Sequence, residues 1–185
     1  KTITWESSDP NGDALRYTLY FRSGHTAPWI LLKDKLTDPT FDWNTKDVAD
    51  GRYQIKLVAS DAAANPVGQG KSASRVSNDV LVNNTPPSIG DIKVTAGKGE
   101  AKIAARVTDR WGTVAALAYS ADSNDDWQAV LPVDTIADSP DESYDFIAGG
   151  LSAGAHQISV RATDSQGNQA FTTVNVTVEA GPSKD

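Results

Sequence analysis

One stretch of this chain occurs twice. Gly51 to Asn65, GRYQIKLVASDAAAN, lies over Gly154 to Asn168, GAHQISVRATDSQGN, at a constant offset of 103 residues and without a gap. Identical residues fall at Gly51/Gly154, Gln54/Gln157, Ile55/Ile158, Ala59/Ala162, Asp61/Asp164 and Asn65/Asn168. A chain that repeats itself over this distance builds one structural unit twice, so each copy must close a core within roughly ninety residues.

The same offset brings Phe41 and Trp43 onto Tyr144 and Phe146, in each case two aromatics separated by an aspartate. Further upstream an offset of 100 aligns Ile3, Asp9 and Gly12 with Ile103, Asp109 and Gly112. The two copies therefore differ by small loop insertions, as a shared fold predicts. Between them lies Asn83-Asn84-Thr85-Pro86-Pro87, where two prolines remove backbone donors and stiffen the path. The boundary is placed there: a first module over 1–84, a second over 85–180, and a flexible tail at 181–185.

Each copy reads as strands. Tyr53, Ile55, Leu57 and Ala59 alternate with Gln54, Lys56, Val58 and Ser60, and His156, Ile158, Val160 and Ala162 alternate with Gln157, Ser159, Arg161 and Thr163. A period of two is that of a half-buried strand. Val174, Val176 and Val178 continue it with β-branched residues. Turn residues interrupt the runs at Asp9-Pro10-Asn11-Gly12-Asp13, Ser23-Gly24, Asp50-Gly51, Gly97-Lys98-Gly99, Gly149-Gly150 and Ser165-Gln166-Gly167-Asn168. No stretch carries apolar residues at helical spacing. The expected fold class is all-β: two tandem antiparallel β-sandwiches.

Trp5 on an early strand, Trp29 and Trp127 after the next, and Asp50-Gly51-Arg52-Tyr53 opening a late strand resemble fibronectin type III-like (immunoglobulin-like) modules of bacterial secreted or surface proteins. In that family a tyrosine near the start of strand F anchors the loop before it, and the resemblance gives Tyr53 that structural role. The second copy has His156 there, a departure that calls the corner hydrogen bond into question. Trp5, Trp43, Asp61 and Asp164 are read as structural. The first copy has no counterpart of Ser88 to Thr95, SIGDIKVT, ahead of Lys1, so it is expected to lack strand A or to receive it from elsewhere.

Composition narrows function by exclusion. A net charge of -7 with scattered basic residues argues against nucleic acid as a partner. The absence of cysteine excludes a disulfide framework and thiolate metal sites. No apolar run is long enough for a membrane-spanning helix. Gly150-Leu151-Ser152-Ala153-Gly154 matches the GxSxG nucleophile elbow, but it leads into a strand, where an elbow must leave a strand and open a helix. Ser152 answers to Ala49 in the first copy, and no catalytic residue is expected.

Of the two histidines, His25 and His156, neither forms a candidate pair for zinc. Carboxylates crowd around Asp134, Asp138, Asp141, Glu142 and Asp145, and around Asp122, Asp125 and Asp126. Asp9, Asn11 and Asp13 look like half of a calcium loop without its later bidentate glutamate, and are weak calcium candidates against a plain turn-closing role. Four of the five tryptophans have core explanations. The exception, Trp111, is the candidate ligand contact. No cofactor is expected. The reading is a non-catalytic spacer, adhesion or docking segment of a larger exported protein, extracellular, at the cell surface or periplasmic. Its partners would be neighbouring domains, protein or polysaccharide. The alternative is an accessory carbohydrate- or protein-binding module of a secreted hydrolase.

Overall fold

Strict two-residue alternation leaves a chain no way to bury its apolar side chains except by stacking sheet on sheet. A computed structural model describes residues 1–179, and in it the chain divides after Asn84 into two compact units. The expected tail at 181–185, with residue 180, lies outside the described residues. Every regular element among the described residues is a strand.

Unit 1 contains β1 (Thr2–Thr4), β2 (Arg16–Ser23), β3 (Ile30–Leu36), β4 (Thr40–Asp42), β5 (Gly51–Ser60), β6 (Ser72–Val76) and β7 (Val80–Val82). One sheet runs β3-β2-β5-β6 with β7 also on β5; the other is only β1-β4. Leu19, Trp43, Tyr53, Ile55 and Val82 are buried between them, flanked by Ile3, Trp5, Phe21, Phe41 and Leu57. The aromatic rings meet edge-on or tilted, Trp43 to Tyr53 at 6.0 Å and Phe21 to Trp43 at 5.5 Å between centroids.

Unit 2 contains β8 (Ser88–Ala96), β9 (Glu100–Thr108), β10 (Val114–Ala121), β11 (Gln128–Val130), β12 (Asp141–Gly149), β13 (Gly154–Asp164) and β14 (Gln169–Val178). Its sheets are β11-β10-β13-β14 and β12-β9-β8. Side chains from both sheets close the core: Ala101, Ile103 and Ala148 meet Ile158, Val176 and Val178, while Val107 and Tyr144 meet Leu117, Val160 and Ala162.

The repeat survives in three dimensions with one correction. Ile3 faces Phe41 across β1 and β4, whereas Tyr144, the counterpart of Phe41, faces Ala105, and Ile103 faces Phe146. Ile3 therefore answers to Ala105, not to Ile103. Two extra residues between Ile3 and Asp9 are taken up where β1 stops at Thr4 while β9 runs on to Thr108. A slip of two keeps every side chain on its face, so the sequence pattern is indifferent to it.

Candidate functional site

The loop before each long strand is tied down from the same position. Tyr53 lies on β5 and its hydroxyl donates to the Ala49 carbonyl over 2.8 Å. His156 lies on β13 and Nε2 donates to the Ser152 carbonyl, also over 2.8 Å. Because a carbonyl only accepts, Nε2 carries a proton; Nδ1 meets Asp122 Oδ2 at 2.5 Å, an acceptor as well. The ring is 8% exposed, and both of its nitrogens face acceptors. The hydrogen bond to Asp122, then the Ser152 carbonyl, holds its pKa above the usual histidine value.

Asp122 is positioned by the end of β10, where its backbone turns to a φ of 52°, a conformation aspartate tolerates. Its N–H donates to the Gln157 carbonyl at 2.9 Å and its Oδ1 accepts the Gln157 N–H at 2.8 Å. That backbone bond first, and His156 second, hold its carboxyl below the usual range. Ser152, His156 and Asp122 thus converge in space like a hydrolase triad. The chemistry is different: Nε2 is spent as a donor to the serine carbonyl, so it has no lone pair with which to take a proton from a nucleophile.

Unit 1 has a polar chain on the corresponding strand. Arg22 Nε and its terminal nitrogen donate to Gln54 Oε1 at 3.1 and 2.7 Å, Gln54 Nε2 donates to His25 Nδ1 at 3.0 Å, and His25 Nε2 lies 3.3 Å from Asp79. His25 is thereby the Nε2–H tautomer, with its acceptor used by glutamine.

At the loop end of unit 1, ligand atoms of Asp9, Asp13 and Asp61 lie within 4.8 Å of one another. Asn11, the third residue of the expected half-loop, is not part of this group; its backbone N–H instead donates to Asp9 Oδ1 at 2.8 Å, as does that of Asp13 at 3.1 Å. Gly12, at a φ of 77°, completes the turn. Asp61 Oδ1 accepts the Lys71 N–H, and Asn65 Nδ2 donates to Asp13 Oδ2 at 3.2 Å. The pairing of Asp61 with this loop was not read from the sequence, although Asp61 and Asn65 are both repeated residues. In unit 2, Asp109 Oδ1 closes the turn at Trp111 and Gly112, and Asp164 accepts the N–H groups of Gln166 and Asn168 at 2.8 Å each.

Among the described residues, the other acidic stretches form no such group. Asp141 pairs with Arg106, Asp145 with Lys102 at 3.3 Å, and buried Glu142 accepts the N–H groups of Asp138 and Ser139 at 3.1 and 2.8 Å. Trp111 is half-buried beside Arg110, whose guanidinium lies 5.2 Å from the ring centroid. Trp5 packs edge-on against Tyr17 at 5.2 Å. Trp29 and Trp127 do not enter the core, contrary to the expectation. They lie on the outer sheet faces, Trp29 under Arg22 and Lys56 at 4.3 and 4.8 Å, and Trp127 under Arg161 at 4.4 Å with Phe171 edge-on at 6.1 Å. Cation–π contacts with residues on neighbouring strands substitute for core packing.

No protein-family model matches the chain, and no curated protein does. Among solved structures it is similar to the fibronectin(III)-like modules of Clostridium thermocellum CbhA, with 20% identity, a TM-score of 0.44, and coverage of 100% of this chain and 87% of that one. It is also similar to the FN1–FN3 domains of chicken CNTN1, with 15% identity, a TM-score of 0.46, and coverage of 96% of this chain and 61% of that one. The fold is all-β, and unit 2 is an antiparallel sandwich of β11-β10-β13-β14 over β12-β9-β8.

Proposed function

We propose that the chain is a non-catalytic structural and interaction segment of a larger exported protein, two sandwich modules in series that space or present neighbouring domains. The observation that carries this reading is the state of His156. It is the one imidazole beside both a serine and a carboxylate, and both of its nitrogens are committed to holding a loop in place. The carboxylates of the turns are likewise used to accept backbone N–H groups. The proposal places the segment in an extracellular or cell-surface setting, periplasm included.

The test is chemical. The chain is incubated with a serine-directed phosphonate probe and with chromogenic ester, peptide and glycoside substrates. Ser152 stays unlabelled, turnover stays at the blank, and Ser152→Ala changes neither. Labelling of Ser152 that disappears in His156→Gln would overturn the reading.

A further inference from the structure

Both units lay a tryptophan and a cation on the outward face of their larger sheet, and unit 2 adds a second ring to the pair. In β13, Ile158, Val160 and Ala162 point into the core and are fully buried, so the alternate residues, Arg161 among them, point outward. Sheet register sets Arg161 between Ala118 of β10 and Phe171 of β14. The rows on either side pair Ser159 with Thr173, Gln157 with Asn175, and Thr163 with Gln169. None of these carries a charge. Trp127 is fixed over the same face by its Nε1, which donates to the Asn124 carbonyl at 2.9 Å, and the Arg161 guanidinium lies 4.4 Å from its ring centroid.

The pair of tryptophan and cation is common to the two units; Phe171 is not. Arg161 and Phe171 correspond in register to Val58 and Ser74, which face each other across β5 and β6. In unit 1 the guanidinium over Trp29 is that of Arg22, and its donors are spent on Gln54. In unit 2 the guanidinium of Arg161 makes no ion pair and no hydrogen bond among the described residues. Phe171 is 61% exposed, lies outside both core clusters of its unit, and meets Trp127 at 6.1 Å with the ring planes at 67°. The first sandwich closes with a serine at this place, so the fold does not require an aromatic there.

These groups select a ligand by their chemistry. A guanidinium with its fork unspent takes a carboxylate through two parallel N–H···O bonds. An exposed ring gives flat apolar support, and the hydroxyls and amides around it can exchange hydrogen bonds with the hydroxyls of a sugar. A protein partner would need about 800 Å² a side around an apolar centre. This face has one exposed ring and one half-buried ring among serine, threonine, asparagine and glutamine, which suits one or two sugar rings. The net charge of -7 that disfavours nucleic acid disfavours any polyanion, so the carboxylate is a single one. Both sheets of unit 2 are built from residues 88–178, and the site lies on the flat of a sheet, not along an edge that a further strand would complete.

We propose that this face of unit 2 binds a glycan at a sugar that carries the only carboxylate of an otherwise neutral chain. The sugar ring lies against Phe171 and its carboxylate meets the Arg161 guanidinium. The neighbouring neutral sugars run over Ser159 and Thr173 toward Gln157 and Asn175. This goes beyond a spacer role, because it gives unit 2 a ligand, and it does not depend on that role, since a module can space its neighbours with or without a sugar on its face.

The test uses the 185-residue chain, isotope-labelled for NMR, with xylotetraose and with xylotetraose bearing a single glucuronic acid branch as probes. The Trp127 Nε1–H and Arg161 Nε–H signals are followed. The acidic probe is expected to shift both signals saturably with a midpoint of about millimolar or lower, and the neutral probe to bind about tenfold or more weakly. Arg161→Gln brings the two probes to within about twofold of each other, because the preference for charge resides in the guanidinium. Phe171→Ser, which installs the residue unit 1 carries at this place, weakens both probes about fivefold or more and preserves the preference. Since Phe171 is exposed, that variant keeps the test decisive if Arg161→Gln misfolds. Equal binding of the two probes, no shift with either up to about 10 mM, or undiminished binding to both variants overturns the proposal. Tighter binding of the tripeptide Gly-Asp-Gly than of the acidic sugar overturns it too, by assigning the face to a polypeptide.

Discussion

Tyr53 and His156 occupy the same place in the two units and perform the same act with different chemistry, each donating over 2.8 Å to the carbonyl four residues upstream, that of Ala49 or of Ser152. What that corner requires is a donor of the right reach, and a phenol or an imidazole can supply it. The imidazole asks for one thing more. Its second nitrogen must be satisfied inside the same buried pocket, and Asp122 does so from the end of β10. A substitution of one residue has thus drawn a second strand into the corner, and made unit 2 sensitive to pH where unit 1 is not held in that way.

Removing the hydroxyl of Tyr53 tests the corner alone. Tyr53 is 7% exposed, so the ring of Tyr53→Phe keeps its packing against Trp43 and Phe21. The Ala49 carbonyl loses its donor. Unit 1 is expected to lose about 1 kcal/mol, or some 4–8 °C in its melting midpoint, with the unit 2 transition unmoved. Calorimetry of the variant resolves the two transitions; an unchanged first midpoint would show that water or another donor serves Ala49.

Unit 2 carries a pH signature. His156 has a folded pKa above its ordinary 6.5, so its contribution is complete below that value and is lost as pH rises through the raised one. Asp122 has a folded pKa below its ordinary 3.8, so its contribution is present above 3.8 and is lost as pH falls through the depressed value. Unit 2 is therefore expected to be most stable between about pH 4 and pH 6.5 and to weaken on the alkaline side. Asp122→Asn flattens that alkaline limb. Melting midpoints taken across the range decide the matter, and a limb of the same slope in the variant sinks the assignment.

The fold was legible because period and repeat are local properties. The alternation at Ile55, Leu57 and Ala59 and the turn at Asp9 to Asp13 needed no knowledge of what lay across the sheet. Two kinds of fact were hidden. A slip of two residues at Ile3 leaves every side chain on its face, so an alignment on Ile103 reads as well as the true one on Ala105. Partnerships across strands were also out of reach: Asp122 lies 34 residues from His156, and Asp61 is 52 residues beyond Asp9 in sequence, yet each meets its partner once the strands pair. Trp29 and Trp127 stand at comparable positions in the two copies, which reads as a shared place in the core. Arg22, Lys56 and Arg161, which cover them on the outer faces, are identified only by sheet register.

Three carboxylates within 4.8 Å repel one another unless a cation or a proton lies among them. Asp13→Asn removes one charge while its amide oxygen can still accept from Asn65. In chelator-treated buffer this variant is expected to equal or exceed the parent chain in unit 1 stability, by up to about 0.5 kcal/mol. Calcium then separates two cases. If millimolar calcium raises the midpoint of the parent and not of the variant, reversing their order, the group holds the ion, with ligands beyond these three coming from backbone, Asn65 or water. If the order stands, the carboxylates serve the turns.

Tyr144 offers a change in the opposite direction. Its side chain is 2% exposed at the centre of the unit 2 core, and its hydroxyl has no hydrogen-bond partner among the described residues. Burial, with the carboxylates of Glu142 and Asp134 nearby, pushes its pKa up to about 12. The first unit has Phe41 at the same place, opposite Ile3 as Tyr144 is opposite Ala105. A buried hydroxyl without a partner costs about 1–3 kcal/mol relative to one that is satisfied. Tyr144→Phe deletes the hydroxyl and retains the ring, so unit 2 is expected to gain about 1 kcal/mol and melt several degrees higher. Tyr144→Ala, which removes the ring as well, should cost about 3–5 kcal/mol by opening a cavity beside Leu117 and Val160. A loss of stability in Tyr144→Phe would mean that the hydroxyl has found an acceptor in solution, and that the gap above it admits a water molecule.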